Sequence, residues 1–128
     1  MTTTISTVAR NAACDAIVDL IDAGSTDANG DLVIQTSGDA EVAILALSEP
    51  AFGDAAAGVA TANTISDDTN ATGGTAANFI LQDKDNTEVM RGDCGTSGSE
   101  LNLSSLSIGS GDTVSVSSLT VTVPGTDA

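Results

Sequence analysis

Residues 32–48 read LVIQTSGDAEVAILALS, and the fold follows from how this stretch is parsed. LVIQT (32–36) and EVAILALS (41–48) are short runs rich in β-branched and apolar residues. Between them stands Ser37-Gly38-Asp39, a triplet of turn formers. Two such runs around a Gly-containing turn are a β-hairpin. Pro50 closes the second run, because proline lacks the N–H that a ladder needs.

Downstream, the same rhythm continues. The segment AFGDAAAGVATANTI (51–65) mixes small residues and holds a further expected strand over 58–65. SDDTNATGGTA (66–76) is a polar loop. ANFILQ (77–82) and TEVMR (87–91) flank Asp83-Lys84-Asp85-Asn86, four residues suited to a second hairpin turn.

The chain then repeats itself, with SGSELNLSSLSI over 97–108 and SGDTVSVSSLTV over 110–121. Strand side chains alternate faces. Leu101 and Leu103 share one parity, Leu106 and Ile108 the other; Val114 and Val116 share one, Leu119 and Val121 the other. Both changes fall at a serine pair, Ser104-Ser105 and Ser117-Ser118. A bulge or bend at each pair returns the later residues to the core side, and serine suits it because its hydroxyl bonds nearby backbone. The repeat therefore predicts two bent strands of similar shape, able to pair with each other. Two copies are too few for a solenoid.

Upstream, the spacing predicts a helix over 6–23. Apolar residues at Val8, Ala9, Ala12, Ala13, Ala16, Ile17, Leu20 and Ile21 fall on one helix face, with Arg10, Asn11, Asp15, Asp19 and Asp22 largely opposite. Ser6 is placed to cap the start and Gly24 to close the end. The expected architecture is mainly β: one domain over 1–128, with an arm and amphipathic helix (1–23) followed by a β domain (24–128). The latter is an antiparallel sandwich or barrel of about eight short strands.

The chain has no Trp or Tyr and two Phe, so its core rests on aliphatic side chains, which bury less area each than aromatics. Eighteen acidic residues face three basic ones, for a net charge of -15. Nucleic-acid binding requires cations that displace phosphate counterions, and anionic membranes require them too, so neither partner is expected. The charge serves solubility, or docking on a basic partner surface. Met1-Thr2-Thr3-Thr4 lacks the basic start of a secretory signal, and no apolar run is long enough to span a bilayer. Cys14 and Cys94 lie in unlike elements and are expected to be free thiols of a protein made in a reducing cytoplasm.

No histidine is present, which removes the ordinary Ser-His-Asp and Cys-His devices. There is no phosphate-binding Gly-rich loop, and a sugar-cleaving carboxylate pair would lack aromatic platforms. DANGD (27–31) and DKDNTE (83–88) gather oxygen ligands but do not match a calcium loop, and turn chemistry accounts for both. No catalytic, cofactor or metal residue is expected.

Four stretches carry a resemblance: LSEPAFGDAAAGVATANTI (47–65), TGGTAANFILQDKDNTEV (72–89), GTSGSELNLSSLSI (95–108) and GDTVSVSSLTVTVP (111–124). With the preceding amphipathic helix, they resemble a family of short structural proteins of tailed bacteriophages, departing from its pattern at Asp93-Cys94. The resemblance implies a virion component, foremost a capsid decoration (cement) protein that reinforces contacts between capsomers on the outer shell. Its partners would be the major capsid protein and copies of itself, as a trimer. A tail, adaptor or fibre-associated protein is the alternative, followed by a displayed host- or glycan-binding module, against which the scarcity of aromatics counts. The Thr-rich start, Thr2, Thr3, Thr4 and Ile5, is the segment expected to contact a partner.

Overall fold

The computed structural model describes residues 3–125. Helix α1 (Thr7–Asp19) starts at Ser6, whose Oγ accepts from the Ala9 N–H at 3.2 Å, and runs into a 3-10 turn (Leu20–Asp22). Gly24 then takes φ +104, a left-handed conformation that a side chain resists, so the expected cap and stop are both in place.

The main sheet has five strands in the order β2-β1-β5-β6-β7 and curls into a half-barrel. Its hairpins are the two the sequence announces. β1 (Asp31–Gln35) pairs antiparallel with β2 (Glu41–Ala46), and β5 (Asn78–Gln82) with β6 (Glu88–Gly95). Non-local pairing of β1 with β5 joins the hairpins. β7 (Leu101–Asn102) adds to the end of β6 in parallel, the one departure from the expected antiparallel pattern among the described strands. Two small sheets complete the body: β3 (Val59–Thr61) with β9 (Thr120–Thr122), and β4 (Gly74–Thr75) with β8 (Ser107–Ile108).

Register decides the core. Leu45, Leu32, Leu81 and Met90 form one row across the sheet; Ala43, Ile34, Phe79 and Gly92 form the next. Both rows face inward with Cys14, Val18, Ile21, Leu101, Leu119 and Val121. Gly92 is small for a reason: a Cβ there would stand 2.8 Å from the Phe79 ring. Aliphatic packing thus closes around a single aromatic in this row.

Both serine pairs of the repeat sit where the chain bends, and the four serines are exposed. Leu101 and Leu103 are buried before the first pair, and Leu106 and Ile108 pack on the core after it; Val114, Val116, Leu119 and Val121 are buried around the second. Ser105 Oγ accepts from the Ser107 N–H and donates to the Ser107 carbonyl, holding the first bend. The copies do not pair with each other. Each corner passes the chain between sheets, so the first copy pairs with β6 and then β4, and the second bridges Asp68 and then pairs with β3.

Cys14 and Cys94 are both free and buried. The Cys14 thiol donates to the Val121 carbonyl at 3.3 Å. Burial, with a smaller push from the Asp93 charge, raises Cys94 to about 11. Burial shields both thiols and the raised Cys94 stays protonated, so neither should react with Ellman's reagent in the native protein and both should in urea. Rapid native labelling, or no thiol in urea, would contradict this arrangement.

Candidate functional site

The two oxygen-rich stretches do meet in space, but as a hydrogen-bonded turn. Asp83 Oδ1 accepts from the N–H groups of Asp85 and Thr87, both at 2.9 Å, and Asp85 Oδ1 accepts from those of Ser25 at 3.0 Å and Thr26 at 2.9 Å. Asp27 N–H donates to the Lys84 carbonyl. Among the described residues, no group of three or more His, Cys, Asp or Glu side chains is arranged to hold a metal ion.

The aspartates in this region are tuned in opposite directions. The Ser25 backbone bond, then the Thr26 bonds, lower Asp85 below the usual value of 3.8. Its contribution is present above that value and is lost as pH falls through the folded one. Half-buried Asp31 is raised, first by burial and then by the Asp27 charge. Its folded form favours the proton, so stability from this group is present below 3.8 and lost as pH rises through the raised value. Asp31→Asn should therefore raise the melting temperature at pH 7, with the gain shrinking toward pH 3. An unchanged melting temperature at pH 7 would show that the burial cost is negligible.

Two of the four large apolar side chains exposed among the described residues, Val8 and Leu20, lie on the helix and its closing turn. Cys14, Val18 and Ile21 face the core, at i, i+4 and i+7. Beside them, three polar side chains also turn inward. Asn11 Oδ1 accepts from the Gly58 N–H at 2.8 Å, Asp15 Oδ1 from Ala55 at 2.8 Å and Asp22 Oδ1 from Ala51 at 3.0 Å. These residues anchor the 51–58 loop by satisfying backbone donors that have no ladder partner.

The expected apolar face is consequently turned to solvent. Val8 is 80% exposed and Leu20 57%, and Ala9, Ala12, Ala13 and Ala16 between them are exposed as well. At 3.6 residues per turn, this face spans an arc of about 140°. Asp19 is the one charged helix residue within it. Of the eight apolar positions expected on one face, Ile17 and Ile21 alone lie toward the core.

The Thr-rich start precedes the helix and is fastened near residue 125. Ile5, 42% exposed, donates its N–H to the Gly125 carbonyl at 2.7 Å, tying the start of the chain to its end. Thr3 and Thr4 are exposed, and Thr2 lies outside the described residues. Sequence reasoning singled out the arm for contact and did not foresee that the apolar helix face is exposed. The available signal was the second stripe, Cys14-Val18-Ile21, which competes with the alanines.

The basic residues are engaged locally. Lys84 Nζ is 2.6 Å from Glu49 Oε1, and Arg91 pairs with Glu88 at 2.8 Å and Asp39 at 3.3 Å. Arg10 Nη2 donates to Thr7 Oγ1.

No protein family, curated protein or solved structure matches the chain significantly.

Proposed function

We propose that this protein is a structural component of a tailed-bacteriophage virion, acting as a decoration protein that binds the outer capsid shell and reinforces contacts between capsomers. The observation that carries the reading is the outward apolar face running from Val8 on α1 to Leu20 in the 3-10 turn, while Asn11 and Asp15 are used inside the fold. Such a face loses solvent contact only against a partner, and its alanines allow close approach of another backbone. The acidic surface keeps free copies apart until a complementary shell removes the repulsion. The sequence resemblance supplies the identity of that shell.

The test is made on particles. Hundreds of copies per virion, and rupture of particles lacking the protein at lower temperature, are the expected results. A few to tens of copies, with failed tail joining and unchanged shell stability, would move the protein to the tail or portal.

The helix face has its own prediction. Val8→Asp combined with Ala9→Asp leaves folding intact, because both sites are exposed in the first turn of the helix, where acidic residues are favoured. Binding to shells should nevertheless fall about tenfold or more, as burying unpaired charge at an interface centre does. Full binding by this variant would take the helix face out of the contact.

A further inference from the structure

The curled sheet does not close on itself. Among the described residues, β6 has β5 along one edge and β7 at Cys94 and Gly95 on the other, and β9 has β3 on one side alone. Between the remaining edges lies a cleft of about 310 Å³, lined by Phe79, Leu81, Met90, Gly92, Leu119 and Val121. These are inward-facing positions, so the cleft is a gap in the wall of the core. A second hollow, lined by Ser117 and Ser118, shares Glu100 and Thr120 with it.

The backbone on both walls is directed into this gap. Hydrogen-bonded and non-bonded pairs alternate along an antiparallel ladder. The Cys94 N–H bonds to the Ala77 carbonyl, which by alternation leaves the Arg91 N–H and C=O pointing away from β5. Likewise, the bonds from Ala62 N–H to Leu119 and from Val123 N–H to Gly58 leave those of Thr120 and Thr122 pointing away from β3. All three residues line the cleft, and among the described residues no strand pairs with them there.

The rim is acidic. Arg91 is bound to Glu88 and Asp39, whereas Glu100 lines the cleft and accepts at Oε2 from the Asp93 N–H at 3.3 Å, and among the described residues neither acid has an ion-pair partner. We propose that the cleft between β6 and β9 receives an extended segment of another protein, added as a strand, with small apolar side chains facing the core and basic ones facing the rim. Strand addition supplies backbone partners to open edges, and alternate side chains give it selectivity. A second copy of this chain is opposed by the net charge of -15. Under the function proposed above, the donor is a shell subunit, and only that identity rests on the previous reading.

The probe is an acetylated ten-residue peptide alternating valine and lysine, added to the full chain and followed by NMR. Shifts and slowed amide exchange should centre on Arg91, Thr120 and Thr122. Thr120→Pro removes an N–H facing the cleft while leaving the bonds to β3, and should weaken the peptide at least tenfold. Equal binding by this variant, or shifts spread elsewhere, would overturn the inference. Should Thr120→Pro fail to fold, exchange in the free wild-type chain decides. Fast exchange at the three amides upholds the open edge, and strong protection shows it already filled and overturns the inference. Shells lacking the protein separate the two proposals. Loading of wild type but not of Thr120→Pro supports both, and equal loading removes the cleft as the shell contact. Peptide binding at the cleft with no loading of wild type would sink the virion reading and leave the cleft standing.

Discussion

Leu32→Ala should destabilise the protein by about 3 kcal/mol, in the middle of the range for a fully buried leucine. Leu32 is fully buried at the centre of the sheet, with Leu45 beside it on β2 and Leu81 on β5. Both neighbours are themselves fully buried and held by their ladders, so the cavity left by the lost methyl groups cannot collapse. Proteins of this size are stable by about 5–15 kcal/mol, so the loss is a large share of the whole. Urea unfolding measures it as a lower midpoint with an unchanged slope. A loss below about 1 kcal/mol would mean that the row relaxes and is not the rigid centre of the core.

Asn11→Ala combined with Asp15→Ala should cost about 2–4 kcal/mol, although both residues are polar and lie on a surface helix. Alanine favours helix, so propensity alone predicts a gain. The loss comes from the loop, where the N–H groups of Gly58 and Ala55 forfeit their acceptors in a partly buried setting. Asp15→Asn keeps an acceptor oxygen and should remain close to wild type, which separates loss of the hydrogen bond from loss of charge. Proteolysis within 51–58 should quicken in the double alanine variant as the loop lifts from the helix. Unchanged stability would show that water replaces these acceptors without penalty.

Local signals in the chain were sufficient for several elements. Ser6 and Gly24 bracket the helix because an N-cap oxygen and a positive φ are local requirements. Asp83-Lys84-Asp85-Asn86 forms the β5–β6 turn because Asp83 bonds the backbone two and four residues ahead. The parity change at the serine pairs placed both corners correctly, since alternation is set by the strand itself. The partners of those corners were not legible. β4 is a two-residue strand, too short to stand out from the polar loop containing it, and the two repeat copies separate because each finds an edge elsewhere.

The helix marks the boundary between the two kinds of information. Its capped start, the stop at Gly24 and the existence of an apolar face were determined by the sequence alone, along with the mainly β class and the two hairpins, but not the change to 3-10 geometry after Asp19. Which face turns inward was decided only by tertiary structure. Burial stabilises by area, at roughly 25 cal/mol per Å², so Cys14, Val18 and Ile21 gain more from the core than a row of alanines does. The loop at 51–58 also needs acceptors, which Asn11, Asp15 and Asp22 hold along the same inward side. Both requirements come from residues distant in sequence and from backbone groups without ladder partners, so no reading of the helix by itself could contain them.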